Sequence, residues 1–342
     1  MLAAAIESSY GGKDIVCVRN MLSASTLDSV YALRRRKLRQ SINYFYNQTG
    51  SSVNIGEQMF LTMLNVVRSM LWGVTVKGQE ISSLGAEFRH VVTDLTELIG
   101  TPNLSDFYLD LAWFDFQGVT KKMKVLAKRF DKIFESMIDQ LLKDEVDAKT
   151  PLTMTELKAL QMDMVIGGTD TTSKKVEFAM AEIMNRPDVL RELQQELETV
   201  MGKNNVVEKS HIQQLPYLYA VMKEALRIHP VLPLLVPHCP NPSIWENPTV
   251  FHPERFLDHT WDYSGNDFNY FPFGSGRRMC AGIAMAERMF LYSLASFIHS
   301  FDWKLPEGET LDLAEKFVIV LMKKMPLVAI PTPKLSNPTL YE

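Results

Sequence analysis

Cysteine is scarce in this sequence: Cys17, Cys239 and Cys280 are the only three in 342 residues. Three thiols spread over that length do not make a disulfide framework, so a reducing compartment or a metal-ligand role is the better expectation. Basic charge is in short supply too. There are 36 Lys and Arg against 40 Asp and Glu, a formal net charge of -4, which argues against nucleic acid as the main partner. No uninterrupted apolar run of about 18 residues occurs, so no membrane-spanning helix is expected. The first five residues are too short for the apolar part of a secretory signal and lack its basic flank. Internal repeats, low-complexity segments and glycine fingerprints for a dinucleotide or flavin are all missing. What is present, 46% hydrophobic and 22% charged residues, is an ordinary globular balance in a chain long enough for one large core.

Helical periodicity dominates. Residues 23–46 read as an amphipathic helix whose basic run, Arg34 to Lys37 with Arg39, suits a solvated face. A lysine-rich helix is predicted over 121–142, with breaks at Gly50, Gly100 and Pro102 before it. Thr153 and Glu156 form a capping box that opens a long helix to about residue 185. Pro187 starts another helix, ending near Gly202, and a third runs over 216–228 until Pro230 and Pro233 stop it. The chain is loop-like from 237 to 273. A last strong helix, 283–299, follows Cys280, and residues 317–322 and 327–330 suit short strands. The predicted fold class is mainly α with a small β portion, in a single domain over 1–342.

The most informative segment is Phe271 to Gly282. Two glycines and a proline make a tightly turned loop that ends on Cys280, just before a helix. Unpaired N–H groups and the helix dipole stabilise an anion there, so Cys280 is expected to be a thiolate. Gly282 would let a flat ligand lie against the helix start, and Arg278 suits pairing with a carboxylate. A buried structural cysteine in a glycine-rich turn is the commoner fate of such a residue. In the middle of the long helix stand Gly167 and Gly168, each costing about 1 kcal/mol relative to alanine. Bare backbone there lets a ligand approach, the Thr171 hydroxyl can bond the Gly167 carbonyl, and Asp170 can relay protons. Taken alone, a packing glycine pair with a solvated Asp and Thr is equally plausible. Glu224 and Arg227 share a helix face, which in isolation is worth only about 0.2–0.5 kcal/mol.

Together these residues resemble the cytochrome P-450 family. Phe273, Gly276, Arg278, Cys280 and Gly282 match its Phe-x-x-Gly-x-Arg-x-Cys-x-Gly signature at every fixed position, and Gly167 to Thr172 resemble its Gly-Gly-x-Asp-Thr-Thr helix. Glu224 and Arg227 match its Glu-x-x-Arg pair, and Pro253 to Phe256 its Pro-Glu-Arg-Phe element. The resemblance implies a haem-thiolate monooxygenase with haem b. Cys280 would be the axial iron ligand, its thiolate pushing electron density that favours O–O cleavage. Asp170 and Thr171 would manage protons, and Arg278 and His238 would face haem propionates. Glu224, Arg227 and Arg255 would form one buried structural network. Electrons would come from NADPH through a separate reductase, which the basic run at 34–39 suits less well than it suits solvent. Leu232, Leu234, Leu235, Val236, Val318 and Ile319 are candidate lining for an apolar pocket, or plain core. The style is closest to plant flavonoid and terpenoid hydroxylases.

Several departures go with that resemblance. Lys174 and Lys175 follow Thr171 on much the same face, where the family carries small or apolar residues, and would have to snorkel outward. None of Trp72, Trp113, Trp245, Trp261 or Trp303 has Arg four residues later, so the family's Trp-x-x-x-Arg propionate donor has no counterpart. No N-terminal anchor and no proline-rich hinge are present. Residues 14–19 and 238–242 pass abruptly where a haem-contacting helix and a strand pair would lie, and a further shortening is expected near 141–144. The expected fold is therefore an incomplete one, with the family's attachment to the cytosolic face of the endoplasmic reticulum weakened or lost. The alternative from another class is an inactive remnant that binds haem weakly or not at all.

Overall fold

The computed structural model describes residues 18, 20–72, 80–142, 154–232, 241–257, 261–316 and 318–342. Among these, the longer helices are α1 (Tyr31–Asn47), α2 (Ile55–Trp72), α3 (Glu80–Ile99), α4 (Val119–Leu142), α5 (Met154–Asn185), α6 (Pro187–Met201), α7 (Pro216–Ile228) and α8 (Ile283–Ser300). Helix starts follow local chemistry. Pro187 and Pro216 each stand in a first turn, where a missing N–H costs nothing. Gly202 ends α6 with φ +65°, a conformation that favours glycine. The predicted single helix over 23–46 is two, Ala24–Ser29 and α1, because Val30 leaves helical geometry between them. Ser23 caps the first by accepting the Thr26 N–H.

Strands are few and short. β5 (Val328–Pro333) lies between β1 (Val53–Asn54) and β2 (Phe301–Lys304), antiparallel to both, with Val53 opposite Ala329 and Phe301 opposite Pro333. β3 (Glu315–Lys316) and β4 (Met322–Lys323) form a separate two-stranded ribbon. The strand expected over 317–322 is largely irregular. Its Leu321 N–H is taken by the Val231 carbonyl at 3.0 Å instead of by a ladder partner. β2 was not anticipated; it continues directly from α8.

The core gathers around α5, 32 residues and about 48 Å long by helical rise. α2 packs along it: Gly168 accepts the close approach of Val67, whose methyl carbon would lie 3.2 Å from a Cβ there. Thr153 lies outside the described residues. The basic run is a solvated face only in part, Arg36 being exposed. Arg34 and Lys37 are buried, Arg34 donates to the Leu27 carbonyl, and Arg35 donates to Glu208 at 2.7 Å. Arg39 donates to the carbonyls of Leu340 and Glu342. Arg35 and Arg39 thus found acceptors far along the chain, which a helical periodicity cannot reveal.

Candidate functional site

The cysteine loop has the geometry its glycines require. Gly274 and Gly276 adopt φ +74° and +67°, open to glycine and strained for other residues. The Gly274 N–H closes a turn on the Phe271 carbonyl at 2.9 Å, and the Cys280 N–H donates to the Phe273 carbonyl at 3.0 Å. Phe273 packs edge-on against Tyr263, centroids 5.3 Å apart, which fixes the start of the loop. Cys280 is presented outward by this frame. Its sulfur accepts one backbone bond, from the Gly282 N–H at 3.3 Å, and is exposed.

The expectation of a free thiolate is corrected here. Surrounding protein pushes the Cys280 thiol up from its ordinary value, and the Gly282 N–H opposes this only in part. The residue reaches the surface, yet protein replaces much of the bulk water that would solvate the anion. A single N–H, from the residue just before the helix, is too weak a counterweight. A metal cation on the sulfur would supply the missing charge and deprotonate it outright.

On α5 the Thr171 hydroxyl donates to the Gly167 carbonyl at 2.6 Å, and a Cβ added at Gly167 would meet nothing within 4 Å. Bare backbone and a hydroxyl thus face open space, whereas Gly168, one residue on, faces packed α2. Asp170 is buried, and burial raises its pKa against the opposing charges of Lys174 and Arg89. Lys174 and Lys175 do not snorkel. Both are buried, and the Lys175 ammonium has no hydrogen-bond partner among the described residues; it lies 5.2 Å from the Phe178 ring centroid. Burial pushes its pKa down from 10.5 to about 7, with Glu315 pulling the other way. Between pH 7 and 10.5 the unfolded chain therefore holds a proton that the folded chain releases, so stability rises with pH across that window. Lys175→Met removes this cost. Its melting temperature should exceed that of the wild type by several degrees at pH 7, and the gap should shrink as pH rises toward 10.5. A pH-independent gap in thermal scans would show that packing, not charge, is responsible.

The structure brings Glu224, Arg227 and Arg255 together. Arg227 donates through Nε and Nη2 to the two Glu224 oxygens at 2.7 and 2.8 Å, and Arg255 Nε donates to Oε1 at 3.3 Å. The remaining guanidinium donors reach carbonyls of Pro248 and Glu246 at 2.8 Å. Trp245 is a participant that sequence reading missed: both guanidiniums lie against its ring, at 5.2 and 6.0 Å. A second missed cluster is His229, with Glu182 2.7 Å from Nε2 and Glu315 2.7 Å from Nδ1, stacked on Phe178 at 4.2 Å. Its members are 47 and 86 residues apart along the chain, so no local pattern signals it. His238, Leu234, Leu235 and Val236 lie outside the described residues, as does the Arg278 side chain. Leu232 is half-buried, and the Val318–Ile319 backbone packs against Gly100.

With this geometry in hand, comparison with known proteins is decisive. A family model, Cytochrome P450, matches residues 16–241 and 239–330. The chain belongs to the cytochrome P450 family. It is 35% identical to carnosic acid synthase of Salvia fruticosa, over 91% of this chain and 72% of that protein. It is 33% identical to geraniol 8-hydroxylase of Swertia mussotii (92% and 73%), and 31% identical to a flavonoid 3'-monooxygenase of Crocosmia x crocosmiiflora (94% and 74%). A solved zebrafish cytochrome P450 with abiraterone superposes with a TM-score of 0.67 at 20% identity, over 92% of this chain and 80% of that one, which shows a shared fold. The P450 class of the chain is haem-thiolate monooxygenase, with a haem cofactor, a small-molecule substrate and a reductase as electron donor. The P450 match divides at 239–241, where the sequence passes abruptly, and the first alignment runs over 367 positions, more than the chain has residues. Its relatives therefore carry internal segments that this chain lacks.

Proposed function

We propose that the chain is a single catalytic domain that hydroxylates an apolar terpenoid or flavonoid, with Cys280 as the ligand of haem iron. The observation that carries this is the exposed Cys280, held outward by a loop that the Gly274, Met279 and Cys280 N–H groups close on the carbonyls of Phe271, Gly276 and Phe273. A soft thiolate donor suits iron, and open space beside Gly276 and Gly167 leaves backbone free for a flat group to approach, so the described residues fit haem. The relatives named for carnosic acid, geraniol and flavonoid chemistry support the substrate class. Bound haem b would supply activation of dioxygen and insertion of one oxygen atom, using electrons from NADPH through a separate reductase.

The chain's own residues do the rest. Cys280, with the Gly282 N–H on its sulfur, would hold the iron, and Phe273, Gly276 and Gly282 would border the cofactor; Arg278 and His238 are assigned to its carboxylates by the family resemblance alone. Burial favours the neutral Asp170 acid while Lys174 and Arg89 favour its anion, so the side chain can both hold and release a proton. Thr171, its own proton engaged on the Gly167 carbonyl, offers its oxygen as the next acceptor. Asp170→Asn should therefore lower product formation by roughly 10²-fold at unchanged haem content. Equal turnover by the two proteins would remove Asp170 from the proton path. The reading as a whole is tested by the carbon monoxide spectrum of the reduced protein. A red-shifted thiolate-type Soret band is expected, and a band of the imidazole type would mean another ligand.

A second reading, a remnant that holds haem weakly or not at all, is favoured by the internal segments its relatives carry and this chain lacks. A colourless preparation from cells supplied with haem precursor is its signature.

A further inference from the structure

His229 stands where three parts of the chain meet. It ends α7, donating its N–H to the Ala225 carbonyl at 3.2 Å, and the proline after it prevents another turn. The imidazole is buried and lies flat on Phe178 of α5. Nε2 is 2.7 Å from a Glu182 oxygen of the same α5, and Nδ1 is 2.7 Å from a Glu315 oxygen of β3. Lys175 and Lys323 face the group from α5 and β4, 5.2 and 5.8 Å from the Phe178 centroid. The Lys323 ammonium is taken by the Asp312 carbonyl, with the Glu177 and Glu182 carboxylates drawing on its charge.

Two hydrogen bonds in a row need two protons, and a carboxylate has none to give. Glu182, His229 and Glu315 therefore share two protons, either as an imidazolium between two carboxylates or as a neutral ring with one carboxylic acid. The row carries one net negative charge in both cases. Hydrogen bonds to ionised groups are about twice as strong as neutral ones, and burial of the ring keeps water from competing.

What the row holds is the β3–β4 ribbon, only two residue pairs long. Among the described residues the ribbon's other side-chain bond to a helix is exposed. Lys316 meets Glu97 of α3 at 2.5 Å, but both side chains are nearly half exposed and such pairs contribute little. The Leu321 N–H donates to the Val231 carbonyl, two residues past His229, and Gly100 makes room for the backbone at Val318 and Ile319. Leu232 on one side and Val318 and Ile319 on the other are expected pocket lining, so the imidazole stands at the root of both stretches.

We propose that His229 is a positioning residue: through the Glu182–His229–Glu315 row it latches the β3–β4 ribbon to α5 and thereby sets where the Val318–Ile319 wall of the pocket stands. The wall rests on the function proposed above; the latch does not. Glu315 is the member to cut, because its side chain is 41% exposed and its loss spares the core. Glu315→Ala removes one of the two bonds. In Glu315→Gln the amide donates to Nδ1 while the ring gives its N–H to Glu182, so both bonds survive at the same net charge. Hydrogen exchange of the purified full chain, with or without haem, reads the latch. Peptides over 315–324 should exchange roughly tenfold faster in Glu315→Ala and as in the wild type in Glu315→Gln, with α8 peptides unchanged. Phenylimidazole, an apolar ring that ligates haem iron, probes the wall, and imidazole, too small to reach it, is the reference. The affinity ratio should fall about fivefold in Glu315→Ala and hold in Glu315→Gln. Exchange in Glu315→Ala equal to the wild type overturns the latch, as does Glu315→Gln behaving like Glu315→Ala. Faster exchange with an unchanged ratio also overturns the proposal, because the ribbon would then be latched without shaping the pocket. A chain that takes up no haem sinks the proposed function instead, and the exchange result alone decides the latch.

Discussion

Cys280→Ser should abolish the reduced carbon monoxide band while leaving circular dichroism and melting temperature close to those of the wild type. Two observations combine to give this outcome. The sulfur is exposed, and its one backbone bond is a 3.3 Å contact that a hydroxyl oxygen can also accept, so the substitution removes little packing. The chemistry changes completely, because a serine hydroxyl does not ionise at neutral pH and is a poor ligand for iron. Gly282→Ala is the companion experiment. A Cβ there would meet the Cys280 sulfur at 3.7 Å and a Leu22 methyl carbon at 3.9 Å, both ordinary contacts. The apoprotein should thus tolerate alanine, and haem content measured per protein should fall only if the ring lies flat against that turn. Equal colour in wild type and Cys280→Ser, or no colour in either, would overturn the ligand assignment.

Glu224→Ala should be the most damaging single substitution for the fold. Glu224 is fully buried and answers two guanidiniums as well as the His252 N–H, which donates to Oε1 at 2.9 Å. Deleting one member of a buried network leaves uncompensated charge and costs about 3–5 kcal/mol. Against a total stability of about 5–15 kcal/mol, this brings the protein close to unfolding at physiological temperature. Glu224→Gln keeps the shape and loses the charge, so it should fall between the two. Replacing all three residues by apolar ones of similar volume should cost less than Glu224→Ala alone, which separates the cost of an orphaned charge from the worth of the network. Denaturant midpoints of the four proteins decide the matter; identical midpoints for Glu224→Ala and wild type would show the network to be ornamental.

What the sequence disclosed was what is close along the chain. The cysteine loop lies within twelve residues, the Gly-Gly-Thr-Asp-Thr-Thr turn within six, and the starts of α6 and α7 rest on a proline each. α2 was not legible. Met59, Phe60, Met63, Leu64, Val66 and Val67 are all buried, so the helix is apolar on more than one side and its period is blurred. The clasp of Arg35 on Glu208 and of Arg39 on the Leu340 and Glu342 carbonyls depends on partners far away in sequence, and a basic run on a helix reads as solvated unless those partners are known. The same limit applies to His229 between Glu182 and Glu315. The failed strand at 317–322 had suitable residues, but its amide at Leu321 was claimed by Val231, and no propensity anticipates a competitor for one N–H.

Gly56, at the start of α2, stands against the Glu177 carboxylate of α5 so closely that a Cβ would come within 2.5 Å of it, and the same carboxylate accepts the Leu327 N–H at 2.9 Å where the chain enters β5. One side chain is therefore the hinge pin of three elements. A roll of the long helix about its axis would pull on the start of α2 and on the strand entry together.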